Sequence, residues 1–208
     1  MGGSQNPGPT TVENRRAVDL PGPGTVQQQQ GSGGDNQPQA PGPGLVGWPR
    51  KIGWREFPNV KSRPPGVQED AQISSEGAPD TNIRPQQKNG RFLIPKITVR
   101  FTVVHDDTWV VQDKKTDALL AHEQRHFDIT GLIGREMGTA MLAIRAADMA
   151  ELQQEVTRIL EHYREQAKKL TEQYDDETEH GLKADKQRQW EKKIQDCMDN
   201  GTRLAPAP

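Results

Sequence analysis

Apolar residues recur along this chain with two different periods, and each predicts a different kind of element. Ile97, Val99, Phe101 and Val103 alternate with Thr98, Arg100 and Thr102, the period-two pattern of a strand with one buried face. A polar loop, His105-Asp106-Asp107, leads to Trp109-Val110-Val111, which reads as a second short strand. From Thr116 the period becomes helical. Thr116 suits an N-cap and Asp117 a first turn, and Leu119, Leu120, Phe127, Leu132, Ile133, Met137, Met141 and Ile144 follow at three- and four-residue spacings. A second helix, about Asp148 to Gln173, repeats the stripe with Leu152, Val156, Ile159, Tyr163, Ala167 and Leu170. That stripe packs against the preceding helix or forms a coiled-coil seam. A turn over Tyr174 to Gly181 and a third amphipathic helix, about Ala184 to Asp199 with Trp190 and Ile194, complete the series.

The chain before the strand divides in two. Residues 1–47 are dominated by Gly, Pro, Gln, Ser and Asn, including two Pro-Gly-Pro-Gly stretches and Gln27 to Gln30. Such a segment has too little apolar surface to offset its ordering entropy, so it reads as a disordered arm. Folded character begins at Trp48, with Ile52, Trp54 and Phe57 close behind. Lys61 to Asn89 is polar and Pro-rich and fits short strands or irregular coil. The expected organisation is an arm over 1–47, one α+β domain over 48–200 with a small antiparallel sheet packed on the first long helix, and a frayed tail over 201–208.

Composition narrows the partners. The 27 basic and 29 acidic residues nearly cancel, leaving a net charge of −2, so the basic stripe of a nucleic-acid binder is missing. Cys197 is the single cysteine, which excludes an intrachain disulfide and a Cys-rich zinc site. No stretch approaches the roughly 18 apolar residues of a membrane span. Met1 to Leu20 lacks the apolar region of a secretory signal, so no address is legible.

The chemistry concentrates in His122-Glu123-Gln124-Arg125-His126. His122 and His126, four apart on a helix, lie on one face with Cβ atoms roughly 5–6 Å apart. Two imidazole nitrogens can then converge on one Zn²⁺. Glu123 is rotated about 100° around the axis, too far round to compete as a ligand yet close enough to act on a water as general base. A catalytic zinc needs a third protein ligand and an open position. His180 is favoured, because two antiparallel helices return its turn beside the start of the first. Glu177, Glu179 and the loop residue His105 are further candidates, and His162 sits among charges on a solvated face. Tyr174 is a candidate to present its hydroxyl to a developing oxyanion. Asp128 faces away from both histidines and suits a hydrogen bond to a neighbouring loop or a structural role.

His122-Glu123-Gln124-Arg125-His126-Phe127-Asp128-Ile129 resembles the H-E-x-x-H-x-D-I signature of the DUF922 family of predicted bacterial zinc-dependent proteases. Trp54-Arg55-Glu56-Phe57, Thr108-Trp109-Val110 and Tyr174-Asp175 with Thr178, His180 and Gly181 resemble further blocks of that family, over roughly Trp48 to Asn200. The resemblance implies zinc ligands at His122, His126 and His180, a catalytic Glu123, and possible export.

The expectation is therefore a zincin-like α+β domain that hydrolyses peptide bonds in a peptide or protein substrate, with Ile97 to Val104 offering an exposed edge to an extended substrate. The alternatives are a metal-stabilised binding module without turnover and a helical interaction protein dimerising through Leu152 to Leu170. Oligomeric state is not legible.

Overall fold

The computed structural model describes residues 42–208; most of the expected arm lies outside the described residues. Eight short strands and three long helices follow in order, so the α+β class holds. The strand expected from Ile97 is β7 (Thr98–Val103), which runs at the centre of a three-stranded sheet. On one side it pairs in parallel with β1 (Gly44–Val46), and on the other antiparallel with β4 (Ser75–Pro79). β8 (Trp109–Val111) is the centre of a second small sheet between β2 (Asn59–Val60), parallel, and β3 (Ala71–Gln72), antiparallel. β5 (Gln86–Lys88) and β6 (Arg91–Leu93) form a hairpin, tied through Phe92 and Ala146 to the connection between the first two helices.

Three expectations change here. The sheets are mixed, because β1 and β2 each pair in parallel with a later strand. β7 has a partner on both sides and leaves no free edge for a substrate; the outer edges belong to β1 and β4. The folded unit also reaches back to β1, inside the stretch read as arm.

The helices are α1 (Asp117–Leu142), α2 (Met149–Thr178) and α3 (Ala184–Asn200). Thr116 caps α1 by accepting from the Leu119 N–H, and Asp148 caps α2 by accepting from Glu151. Leu152, Val156, Ile159, Tyr163 and Leu170 are all buried against the rest of the chain, so the stripe of α2 is used internally. Its periodicity continues through Tyr174 and Thr178, both fully buried, which carries α2 one turn beyond Gln173.

Helix α1 meets the β1-β7-β4 sheet along a face of glycines. A side chain at Gly134 would lie 2.5 Å from the Phe101 ring, and one at Gly131 about 2.1 Å from the Trp48 ring. The missing Cβ atoms let aromatic rings sit directly on the helix backbone. Trp48 is pinned there by its indole N–H, which donates to Asp128 at 3.2 Å, the loop contact anticipated for that carboxylate.

The tail is not frayed. Leu204 and Ala205 are buried, and the inward-facing Glu136 carboxylate on α1 accepts both of their backbone N–H groups, at 2.6 and 3.2 Å. Arg135 adds bonds to the carbonyls of Cys197 and Thr202. No helix among the described residues is long and apolar enough to cross a membrane.

Candidate metal centre

His122 and His126 project from the second and third turns of α1, with ring centroids 4.7 Å apart in an edge-to-face arrangement. Tyr174, near the end of α2, stacks on the His122 ring at 4.8 Å. The next residue on α2, Asp175, brings a carboxylate oxygen between the two imidazoles. Its Oδ1 lies 3.1 Å from His122 Nε2 and 2.8 Å from His126 Nε2, and the two Nε2 atoms are 3.1 Å apart.

These three atoms make a nearly equilateral triangle, the one group of metal-ligating side chains of this size among the described residues. A tetrahedral zinc ion with bonds of about 2.0–2.1 Å needs donors about 3.3 Å apart, so the triangle is slightly tighter than one face of that tetrahedron. Two neutral nitrogens and one carboxylate oxygen with a fourth position left over match the donor set of catalytic zinc. The residues therefore fit the metal that the motif implies.

The three side chains are electrostatically coupled. Burial pushes the Asp175 carboxyl up, but hydrogen bonds and charge from His122 and His126 outweigh it and hold the group well below the usual carboxylate range. Burial pulls the His126 imidazole down, and Asp175, with a smaller contribution from Glu123, reverses this so that the net shift is upward.

Glu123 is 2% exposed. Its Oε2 accepts the backbone N–H of Ile73 at 2.8 Å, where the chain passes from β3 to β4. Burial raises its pKa, with the neighbouring histidines opposing the shift. Neighbouring motif positions tie the helix to the N-terminal segment. Gln124 accepts from the Ile52 N–H and donates to the Arg50 carbonyl and to Asp128.

The structure separates the other candidates. His180 is not in the donor triangle, where Asp175 takes the third corner; its Nδ1 pairs with Glu69 at 3.1 Å and stands 3.7 Å from Asp175 Oδ1. It is carried by a turn in which Glu179, His180 and Gly181 all have positive φ. Thr178 shapes that turn by donating to the Tyr174 carbonyl and accepting from the Gly181 N–H. Glu177 accepts from the Trp190 indole and from Gln173, and Glu179 pairs with Lys183. His105 is exposed in a short 3-10 turn, and His162 faces the Pro206 carbonyl. The Tyr174 hydroxyl donates to Gln187 Oε1 at 2.6 Å and lies 3.4 Å from the His122 carbonyl, buried behind His122. Burial raises its pKa strongly. This placement gives Tyr174 a supporting position in place of the expected oxyanion contact.

Asp175 is the residue that sequence reasoning missed. Ending α2 at Gln173 placed Asp175 in a turn, whereas the four-residue spacing of Leu170, Tyr174 and Thr178 keeps it on the helix facing α1.

Residues 84–181 match the model of a family described as bacterial protein of unknown function, DUF922. The match supports assigning this segment to that family and spans the stretch from β5 to Gly181, including all three donors and Glu123. The resembling block at Trp54 to Phe57 lies outside it. No curated protein and no solved structure matches the chain.

Proposed function

We propose that the chain is a zinc-dependent peptidase whose metal is held by His122, His126 and Asp175. The observation that carries this reading is the donor triangle with edges of 2.8 to 3.1 Å, two corners of which share neighbouring turns of α1 with a buried, anchored glutamate while α2 supplies the third. A zinc ion bound there would supply Lewis acidity toward a peptide carbonyl and acidify a water molecule.

The chain's own groups then account for the proton movements. Ile73 fixes one oxygen of Glu123, which leaves Oε1 to receive a proton from the attacking water. Desolvation has already made this carboxylate more basic than an exposed one, which suits proton capture. The hydroxyl left behind adds to the carbonyl carbon, and Glu123 then delivers the proton to the amine nitrogen as the carbon–nitrogen bond breaks, giving a carboxylic acid and a free amine.

The test is cleavage of a diverse quenched-fluorescent peptide library by full-length protein. Activity that falls with a zinc chelator and returns with added zinc supports the reading. Stoichiometric zinc with no cleavage of any peptide would leave a metal-stabilised binding module in its place.

A further inference from the structure

Helix α3 reaches the centre through one side chain. Gln187, in the first turn of α3 and half-buried, places its Oε1 3.4 Å from His122 Nδ1, the ring nitrogen that does not face the donor triangle. The same oxygen lies 2.6 Å from the Tyr174 hydroxyl. A separation that short belongs to an O–H···O bond, whereas N–H···O bonds centre near 2.9–3.0 Å. The contact therefore identifies this corner of the Gln187 amide as its oxygen, an acceptor toward both neighbours. Gly181 closes the remaining side of the ring, where even a Cβ would lie 3.2 Å from His122 Nδ1.

A neutral imidazole carries one proton on one of its two nitrogens, and a nitrogen that carries it cannot donate to a metal. An acceptor beside Nδ1 keeps a proton there, so that when zinc replaces the proton through which Nε2 bonds to Asp175, it is the Nε2 lone pair that meets the metal. We infer that Gln187 is a positioning residue for the metal centre, holding His122 in the Nδ1–H tautomer with Nε2 free to bind zinc. Tyr174 serves the same end by stacking on the ring and orienting the Gln187 amide. The pattern is the general one in which a metal-ligating histidine gives its other N–H to a fixed acceptor. The inference rests on zinc occupying the donor triangle, and it gives α3 a role in the site although α3 supplies no ligand.

The test is zinc affinity of the full-length chain, by competition with a chromophoric chelator, for wild type, Gln187→Leu and Gln187→Glu, with circular dichroism as the fold check. Leu keeps approximate bulk and removes the acceptor, whereas Glu keeps the acceptor. The expected result is a 10- to 100-fold loss for Gln187→Leu and retention within a few-fold for Gln187→Glu. In zinc-loaded wild type, the His122 Nδ1–H should also be seen by NMR as a protected resonance. Equal affinity of Gln187→Leu and wild type overturns the inference, as does equal loss in both variants. An Nδ1–H that exchanges freely in wild type overturns it without recourse to any variant. Wild type that binds no zinc defeats the peptidase reading as well, whereas tight zinc, the expected variant order and no peptide cleavage defeats that reading alone.

Discussion

Asp175 Oδ1 lies 2.8 Å from His126 Nε2, although 49 residues separate them in the chain. The contact exists because α2 runs back along α1 and stays helical to Thr178, so its last turns return to the level of the first helix's opening turns. Everything proposed for the chain's chemistry depends on that return.

Substitution of Glu123 by Gln should separate binding from turnover. The amide can still accept from Ile73 but cannot capture a proton. Zinc content should match wild type while peptide hydrolysis drops on the order of 10²- to 10⁴-fold. Cleavage at the wild-type rate would remove Glu123 from the chemistry.

His180→Ala should retain zinc. His180 is 41% exposed by its side chain and engages Glu69, a partly solvated pair of the kind worth roughly 0–1 kcal/mol. Chelator competition should show less than a few-fold change in affinity. A loss as large as that of His126→Ala would place His180 among the ligands.

Gly131→Ala should destabilise the fold without touching a donor. The added methyl would stand about 2.1 Å from Trp48, which must swing away from Asp128. Overpacking of this kind costs about 1–3 kcal/mol. Gly53→Ala, where nothing lies within 4 Å and φ is −147°, is the matched control. Urea midpoints that move equally in the two variants would contradict the packing described.

Glu136 predicts a pH dependence. Burial raises its pKa, with the Leu204 and Ala205 N–H groups opposing the shift. A carboxyl that is more basic folded than unfolded binds its proton more tightly in the folded state. Its contribution to stability is therefore greatest at low pH and declines as pH rises from the ordinary Glu value through the raised one. Replacing it with Gln should remove that component, so the melting-temperature difference, wild type minus Glu136→Gln, should shrink between pH 4 and pH 7. A difference that grows with pH would reverse the sign.

Much of this is legible in the amino-acid sequence. The strand at Thr98–Val103, the cap at Thr116 and the start of the second helix near Asp148 follow from local pattern, and local pattern is what a single chain displays. His122, Glu123 and His126 were legible for the same reason, since their spacing alone sets their helix face. Contacts made at long range were not. Nothing near Gly44 announces a parallel pairing with Thr98, because that strand borrows its hydrogen bonds from a partner more than fifty residues away. Gly131, Gly134 and Gly138 add nothing to the apolar stripe, yet they are the surface on which Trp48, Phe101 and Pro43 rest. Asp175 was hidden by a helix end set one turn too early, and Gln187 by an approach from a separate helix.

The most direct measurement is the zinc content of purified wild type beside Asp175→Ala, by elemental mass spectrometry, with circular dichroism to verify that both are folded. Near-stoichiometric zinc in wild type and a marked loss in the variant is the predicted result. No zinc in wild type after zinc is supplied, or equal zinc in both proteins, would contradict a centre built from His122, His126 and Asp175.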